Sequence, residues 1–284
     1  MDGNARHQGR TAKGERAGQG PSKSIPLLEH ALDEPTIFTP TELIEAVRRQ
    51  RRLKAVPVPE VCVLEFDGDL TDELVACNQV RRYEFWPCFH TAMWAWQCGG
   101  QGCGIVARTI GGPYAVLVAE QLAVCGAKVI VGLTSAGRVS PLLPVPGIVV
   151  ADQAIRDEGT SLHYLPPGEV VTGSSALAQA LEAEVAHVGL PVRRGLVWTT
   201  DAPYRETARQ TAGHARRGAL AVEMQAASLF AFAARRGVAT GVVAHVTNAP
   251  DHEGEAFDKG PAVAQRDILA AICRAGYRYL NAVK

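Results

Sequence analysis

Short apolar runs rich in Val and Ile alternate along this chain with longer runs of helical period, and most of the helical runs stop at a glycine. Strand-like runs fall at 61–66, 104–107, 128–133, 146–151, 195–199 and 238–246. Helical runs fall at 113–125, 175–188, 206–217, 223–236 and 261–277, with Gly126, Gly189, Gly218 and Gly237 ending the first four. Continuous apolar strands must be covered on both faces. The pattern therefore predicts a single α/β domain with a central mixed β-sheet flanked by helices on both faces. At 284 residues, 47% of them hydrophobic, the chain can bury a substantial core without disulfide or metal staples. In such sheets ligands bind in loops beyond the strand ends, so the residues after 133, 151, 199 and 246, and the start of the helix at Glu223, are the places to search.

The remaining organisation is simple. Residues 1–24 are almost free of large apolar side chains and are expected to be a disordered tail, with the folded domain spanning 25–284. Within it, 25–60 reads as a helical extension. Thr39, Pro40 and Glu42 have the spacing of a capping box that starts a helix running toward Arg52. With 29 basic and 29 acidic residues, no global field draws in nucleic acid or an anionic membrane. The seven cysteines are odd in number and form no C-x-x-C pair, which predicts a reducing, cytoplasmic setting with neither a disulfide framework nor a metal site. No apolar run reaches the length of a membrane span.

Six segments carry polar chemistry where the pattern expects loops. Gly111-Gly112-Pro113-Tyr114-Ala115 lets a backbone approach closely before a helix opens. Thr134 and Ser135 end an apolar strand with hydroxyl and N–H donors suited to an anion or a sugar. Arg156-Asp157-Glu158-Gly159-Thr160-Ser161-Leu162-His163 concentrates charge past a buried strand. In Thr200-Asp201-Ala202-Pro203-Tyr204-Arg205, Asp201 can cap a helix, whereas a ring and a planar cation together suit a nucleobase. Glu223-Met224-Gln225 is polar at the start of an apolar helix, and His245-Val246-Thr247-Asn248 ends a buried strand. Taken singly, each has an ordinary structural explanation as a turn, a cap or a core polar residue.

In order and spacing, these segments resemble the nucleoside phosphorylase superfamily, which includes uridine phosphorylases and hexameric purine nucleoside phosphorylases. The resemblance runs from about Val61 to the C-terminus, and residues 22–40 are similar to the start of a bacterial uridine phosphorylase-like subgroup. It implies a small-molecule nucleoside as substrate, phosphate as co-substrate, no other cofactor and a homo-oligomer: a dimer, trimer or hexamer. In the family the Glu-Met-Glu segment holds the ribose, so Glu223 and Gln225 are expected in catalytic positions and Met224 at the sugar. Gly112, Thr134, Ser135, Tyr204, Arg205, Thr247 and Asn248 are expected to bind substrate. The chain departs from the family at Gln225, where a carboxylate is usual and would stabilise an oxocarbenium-like transition state. It departs again on the phosphate side. The turn after the first strand is acidic, Glu65-Phe66-Asp67-Gly68-Asp69, and the position of a phosphate-binding Arg is taken by Ile130. Arg108, Arg138 and Arg156 are candidate replacements, with Arg156 assigned a catalytic role. Phosphorolysis of a nucleoside is thus the first expectation, hydrolysis by water the alternative, and nucleoside binding with little catalysis a third.

Overall fold

The computed structural model describes residues 25–29, 31–248 and 262–283. The expected tail at 1–24 lies outside them. The elements follow in order α1 (Pro40–Arg51), β1 (Val61–Glu65), α2 (Asp69–Ala76), β2 (Arg81–Arg82), β3 (Met93–Cys98), β4 (Gln101–Ala107) and α3 (Gly112–Val124). Next come β5 (Val129–Arg138), β6 (Gly147–Asp157), β7 (Val170–Thr172), α4 (Ser175–Val185), β8 (Val192–Thr200) and α5 (Ala208–Arg216). The chain closes with β9 (Ala221–Glu223), α6 (Ala226–Arg236), β10 (Ala239–Asn248) and α7 (Ala262–Ala282).

All strands join one mixed sheet in the order β10-β6-β8-β9-β5-β1-β4-β3-β2, with β7 on β6. β10 also pairs with β5, parallel and over most of its length, so β5, β10, β6, β8 and β9 close into a ring. β1 and β4 extend from that ring parallel to β5, and β3 runs antiparallel beside β4. Closure leaves both sides of β5 paired, which is why its residues are so regularly buried. One apolar cluster fills the side covered by α1, α3 and α6, around Ile44, Leu122, Phe230 and Phe232. A second fills the side covered by α2, α4 and α7, around Leu74, Leu181 and Ile272. The helices therefore lie on both faces, as the alternating pattern requires. None among the described residues is long and apolar enough to cross a membrane.

The capping box of α1 is present: the Glu42 N–H donates to Thr39 Oγ1 at 3.2 Å, and the Thr39 N–H donates to the Glu42 carboxylate at 2.8 Å. Other boundaries move. β5 continues to Arg138, so Thr134, Ser135, Ala136 and Gly137 are strand and not loop, held by partners on β10 and β9. β6 likewise runs on to Asp157 against β8 and β7, which draws Arg156 into the strand. Glu223 is the last residue of β9 and not the first turn of a helix, because β8 and β5 supply ladder partners before α6 begins. The helix expected from 206 begins at Ala208, where Thr207 and Gln210 form a second capping box. α2, β2, β3 and β7 were not anticipated by the apolar pattern.

Candidate active site

Three sequence-distant segments meet at the end of β5. Gly137 is paired with Val222 of β9 on one side and with Asn248 of β10 on the other. The β5–β9 ladder consists of Gly137–Val222 and Arg138–Ala221, and Met224 follows directly after β9 ends at Glu223. Across the other edge, His245 is the partner of Ser135 and Ala244 of Thr134. Thr134 and Thr247 are buried, while Ser135, Met224 and Asn248 are half-buried. The structure thus brings Thr134, Ser135, Thr247 and Asn248 together on paired β5 and β10, and Met224 and Gln225 lie in the β9–α6 junction just past the β5–β9 pairing.

A fourth contributor comes from the turn after β1. The Asp67 carboxylate accepts the Ser135 N–H at 3.1 Å and the Ser135 hydroxyl at 3.2 Å. The preceding Phe66 is almost fully buried, and its ring lies over Gly132: a Cβ at 132 would stand 2.7 Å from a ring carbon, so only glycine fits there. In the sequence Asp67 stands out only as part of an acidic turn. A polar residue just past a buried strand was its signal, but pairing to a strand 68 positions away is not visible from local sequence.

Glu223 sits beneath this cluster, 4% exposed. One of its oxygens accepts the N–H groups of Gln225 at 2.6 Å and Ala226 at 2.8 Å. The other receives the Thr199 hydroxyl at 2.5 Å, and Thr199 Oγ1 in turn accepts the Ala227 N–H at 3.0 Å. Glu223 and Thr199 together satisfy the first three N–H groups at the start of α6, which its own N-cap Gln225 does not. Burial pushes the Glu223 carboxyl up to about 7, against the Thr199 hydroxyl and the two N–H groups that pull it down. Gln225 is 2% exposed, and its side-chain oxygen accepts the Met224 N–H at 3.2 Å. A carboxylate at 225 would share a buried site with Glu223, and the neutral amide avoids that repulsion.

The other expected site residues have structural partners. Arg156 donates from Nε to Ser161 Oγ at 2.8 Å and from its terminal nitrogens to the carbonyls of Pro166 at 2.6 Å and Leu165 at 3.2 Å, clamping the loop after β6. Its burial lowers its pKa from the ordinary arginine value. Gly112 opens α3 at a helix crossing, where a Cβ would come within 2.1 Å of Ser228 Oγ. That hydroxyl donates to Glu158 at 2.6 Å, so packing at the crossing requires the glycine. Tyr204 is 100% exposed on the short turn after β8, and Arg205 beside it is also exposed, so neither joins the buried network. Asp201 accepts the Gly159 N–H at 2.9 Å, tying that turn to the loop after β6. Arg108 pairs with Asp72 at the surface, and Arg138 ends β5 opposite Ala221. A cleft of about 430 Å³ lies between α3 and the 159–164 turn, with Leu117, Glu120, Gly159, Tyr164 and Asp201 in its lining. Its Glu120 is already engaged by Arg236 and Tyr164, each at 2.9 Å.

The family profile described as the phosphorylase superfamily matches residues 37–275, and the chain belongs to that superfamily. Uridine phosphorylase from Salmonella typhimurium is 25% identical over 167 residues, which cover 54% of this chain and 66% of the relative. Guanosine phosphorylase from Halorubrum lacusprofundi is 28% identical over 184 residues, covering 61% of this chain and 73% of that one. The match to the Salmonella enzyme therefore spans just under two-thirds of its length. The crystal structure of purine nucleoside phosphorylase from Toxoplasma gondii, solved with immucillin-H, superposes with a TM-score of 0.69 at 20% identity. It covers 82% of this chain and 96% of the other, which shows a shared fold.

Proposed function

We propose that this protein breaks the N-glycosidic bond of a nucleoside. The observation that carries the reading is the convergence at the end of β5, where β9, which leads directly into Met224 and Gln225, pairs on one side and β10, ending in Thr247 and Asn248, on the other. Hydroxyl, amide and thioether groups at one half-buried strand end suit a sugar next to a base. Gln225 and Thr134 offer hydrogen bonds to hydroxyls, Met224 offers an apolar wall, and Asn248 can both donate to and accept from a base edge. The relatives' names, uridine and guanosine phosphorylase, support a nucleoside substrate and leave pyrimidine and purine bases both open. As the resemblance implies, the working form is a closed homo-oligomer, in which exposed Tyr204 and Arg205 can face a neighbouring subunit's site.

The test is release of free base from a panel of pyrimidine and purine nucleosides, with and without phosphate, followed by chromatography. Turnover on at least one nucleoside is expected, with Gln225→Ala slowing it. Tight nucleoside binding without any release would replace catalysis by simple binding, and neither binding nor release would remove the nucleoside reading.

A further inference from the structure

We infer that Asp67 takes the place of an anionic co-substrate in this protein, excluding phosphate and leaving water as the acceptor of the pentosyl group. The inference rests on the glycosidic reading above and specifies its nucleophile.

The end of β5 presents two hydrogen-bond donors from Ser135, its N–H and its hydroxyl, and Asp67 occupies both, at 3.1 and 3.2 Å. A phosphate seeking those donors must displace a carboxylate that belongs to the chain and so competes as an intramolecular partner. It must also enter a field of the wrong sign. Glu65, Asp67, Asp69 and Asp72 crowd the turn after β1 and the first turn of α2. The cation on that turn is Arg108, whose side chain lies over Gly68 and is paired with Asp72. Arg138 closes β5 three residues beyond Ser135, opposite Ala221 of β9, and the β5 residues before Ser135 supply no cation. Ile130 is fully buried in the core, and the Phe66 ring closes the space at Gly132. Arg156 is engaged by Ser161 and two loop carbonyls. An anion at this position would thus meet donors already held by a carboxylate, and it would be repelled by that carboxylate's charge, whereas a neutral water is not repelled.

With water as nucleophile the reaction balances without another reactant. The water oxygen bonds to the anomeric carbon as the C–N bond breaks, and the bonding pair leaves on the base nitrogen. One water proton remains on the new sugar hydroxyl and the other ends on the base.

The experiment titrates inorganic phosphate into the full chain and into Asp67→Ala and Asp67→Asn. Binding is read as a shift in thermal midpoint against sodium chloride of equal ionic strength. Asp67→Asn keeps an acceptor for the Ser135 N–H and removes only the charge, so it covers the case in which the alanine variant does not fold. The native protein is expected to show no phosphate-specific shift, and removing the charge should tighten phosphate binding by about tenfold or more. Phosphate stabilisation of the native protein, or base release that requires phosphate, overturns the inference. So does an absence of phosphate response in the native protein and every folded variant, because Asp67 is then not what excludes the anion. If no nucleoside is cleaved under any condition, the glycosidic reading fails, while the phosphate titration still decides whether Asp67 closes the anion position.

Discussion

Glu223 can be a buried cap, a catalytic acid, or both, and its stability profile separates these roles. Glu223→Ala strands the N–H groups of Gln225 and Ala226 at the start of α6, and it removes the partner of the Thr199 hydroxyl. Each buried N–H left without a partner costs about 1–3 kcal/mol, so the variant should lose roughly 3–5 kcal/mol where the native carboxyl is neutral. The carboxyl has a compensating cost. Its value is raised from an ordinary 4.5 to about 7, so the folded state binds more protons than the unfolded state between those values. The stability this contributes is complete below 4.5 and is lost as pH rises through 7. At 1.36 kcal/mol per unit, the native protein forfeits about 3 kcal/mol across that window, and the alanine variant has no such group to titrate. The gap between the two proteins should therefore be wide at pH 5 and shrink substantially by pH 8. Urea unfolding at both values, followed through the buried Trp198, gives the two differences directly. An equal gap at the two pH values would show that the carboxyl does not titrate in this window. A variant as stable as the native protein at pH 5 would show that it does not hold the helix start. If Glu223→Gln is stable yet inactive, the proton on Glu223 matters to chemistry as well as to folding.

Three further substitutions probe the cluster. Gln225→Glu should raise nucleoside turnover, because a negative charge beside the anomeric carbon stabilises the oxocarbenium-like state; steady-state rates check this. Its stability should fall by about 1–3 kcal/mol, with a steeper loss toward high pH, because Glu223 is its buried neighbour. Gly112→Ala drives a methyl group to within 2.1 Å of Ser228 Oγ and must break the Ser228–Glu158 bond or shift α3. A loss of about 1–3 kcal/mol is expected in a thermal melt, with nucleoside affinity unchanged if the glycine serves packing alone. Tyr204→Ala should leave stability within about 0.5 kcal/mol, since the ring is fully exposed, so weaker nucleoside binding on titration would place it over the base in the assembled protein.

Local sequence signals located most elements because their causes are local. The Thr39–Glu42 box, the glycines after α6 and before β8, and the Val-rich runs of β1 and β10 each act within a few residues. What was misread depends on partners far along the chain. Thr134 to Gly137 have the composition of a turn, and they are strand because β10 pairs along one edge and β9 takes up the other at Gly137. Glu223 precedes an apolar helical run and has the sequence signature of its first turn, yet pairing with Thr199 of β8 holds it in β9. The candidate site divides in the same way. The residues that the resemblance assigns to sugar and base, Thr134, Ser135, Met224, Gln225, Thr247 and Asn248, fall in short contiguous fragments that local sequence can find. The bonds of Asp67 to Ser135 and of Thr199 to Glu223 join residues 68 and 24 positions apart, and only the folded chain reveals them.

The two departures from the family pattern become one when placed on this geometry. The chain lacks a carboxylate at 225, on the side where the sugar hydroxyls are expected, and has one at 67, bound to Ser135 at the end of β5. A carboxylate at 225 would lie against buried Glu223, where ionisation is already costly enough to push the Glu223 carboxyl up to about 7. Asp67 is half-buried and accepts two hydrogen bonds from Ser135, away from Glu223. A phosphorylase needs negative charge near the sugar and positive charge near the nucleophile. An enzyme using water needs the first without the second, and it can draw its negative charge from the nucleophile's side. Moving the carboxylate from 225 to 67 keeps electrostatic support for a cationic sugar while closing the anion position. On this reasoning the Gln225 amide and the Asp67 carboxylate should be coupled. Gln225→Glu ought to help Asp67→Asn more than it helps the native chain, and a double-mutant cycle on turnover measures the difference.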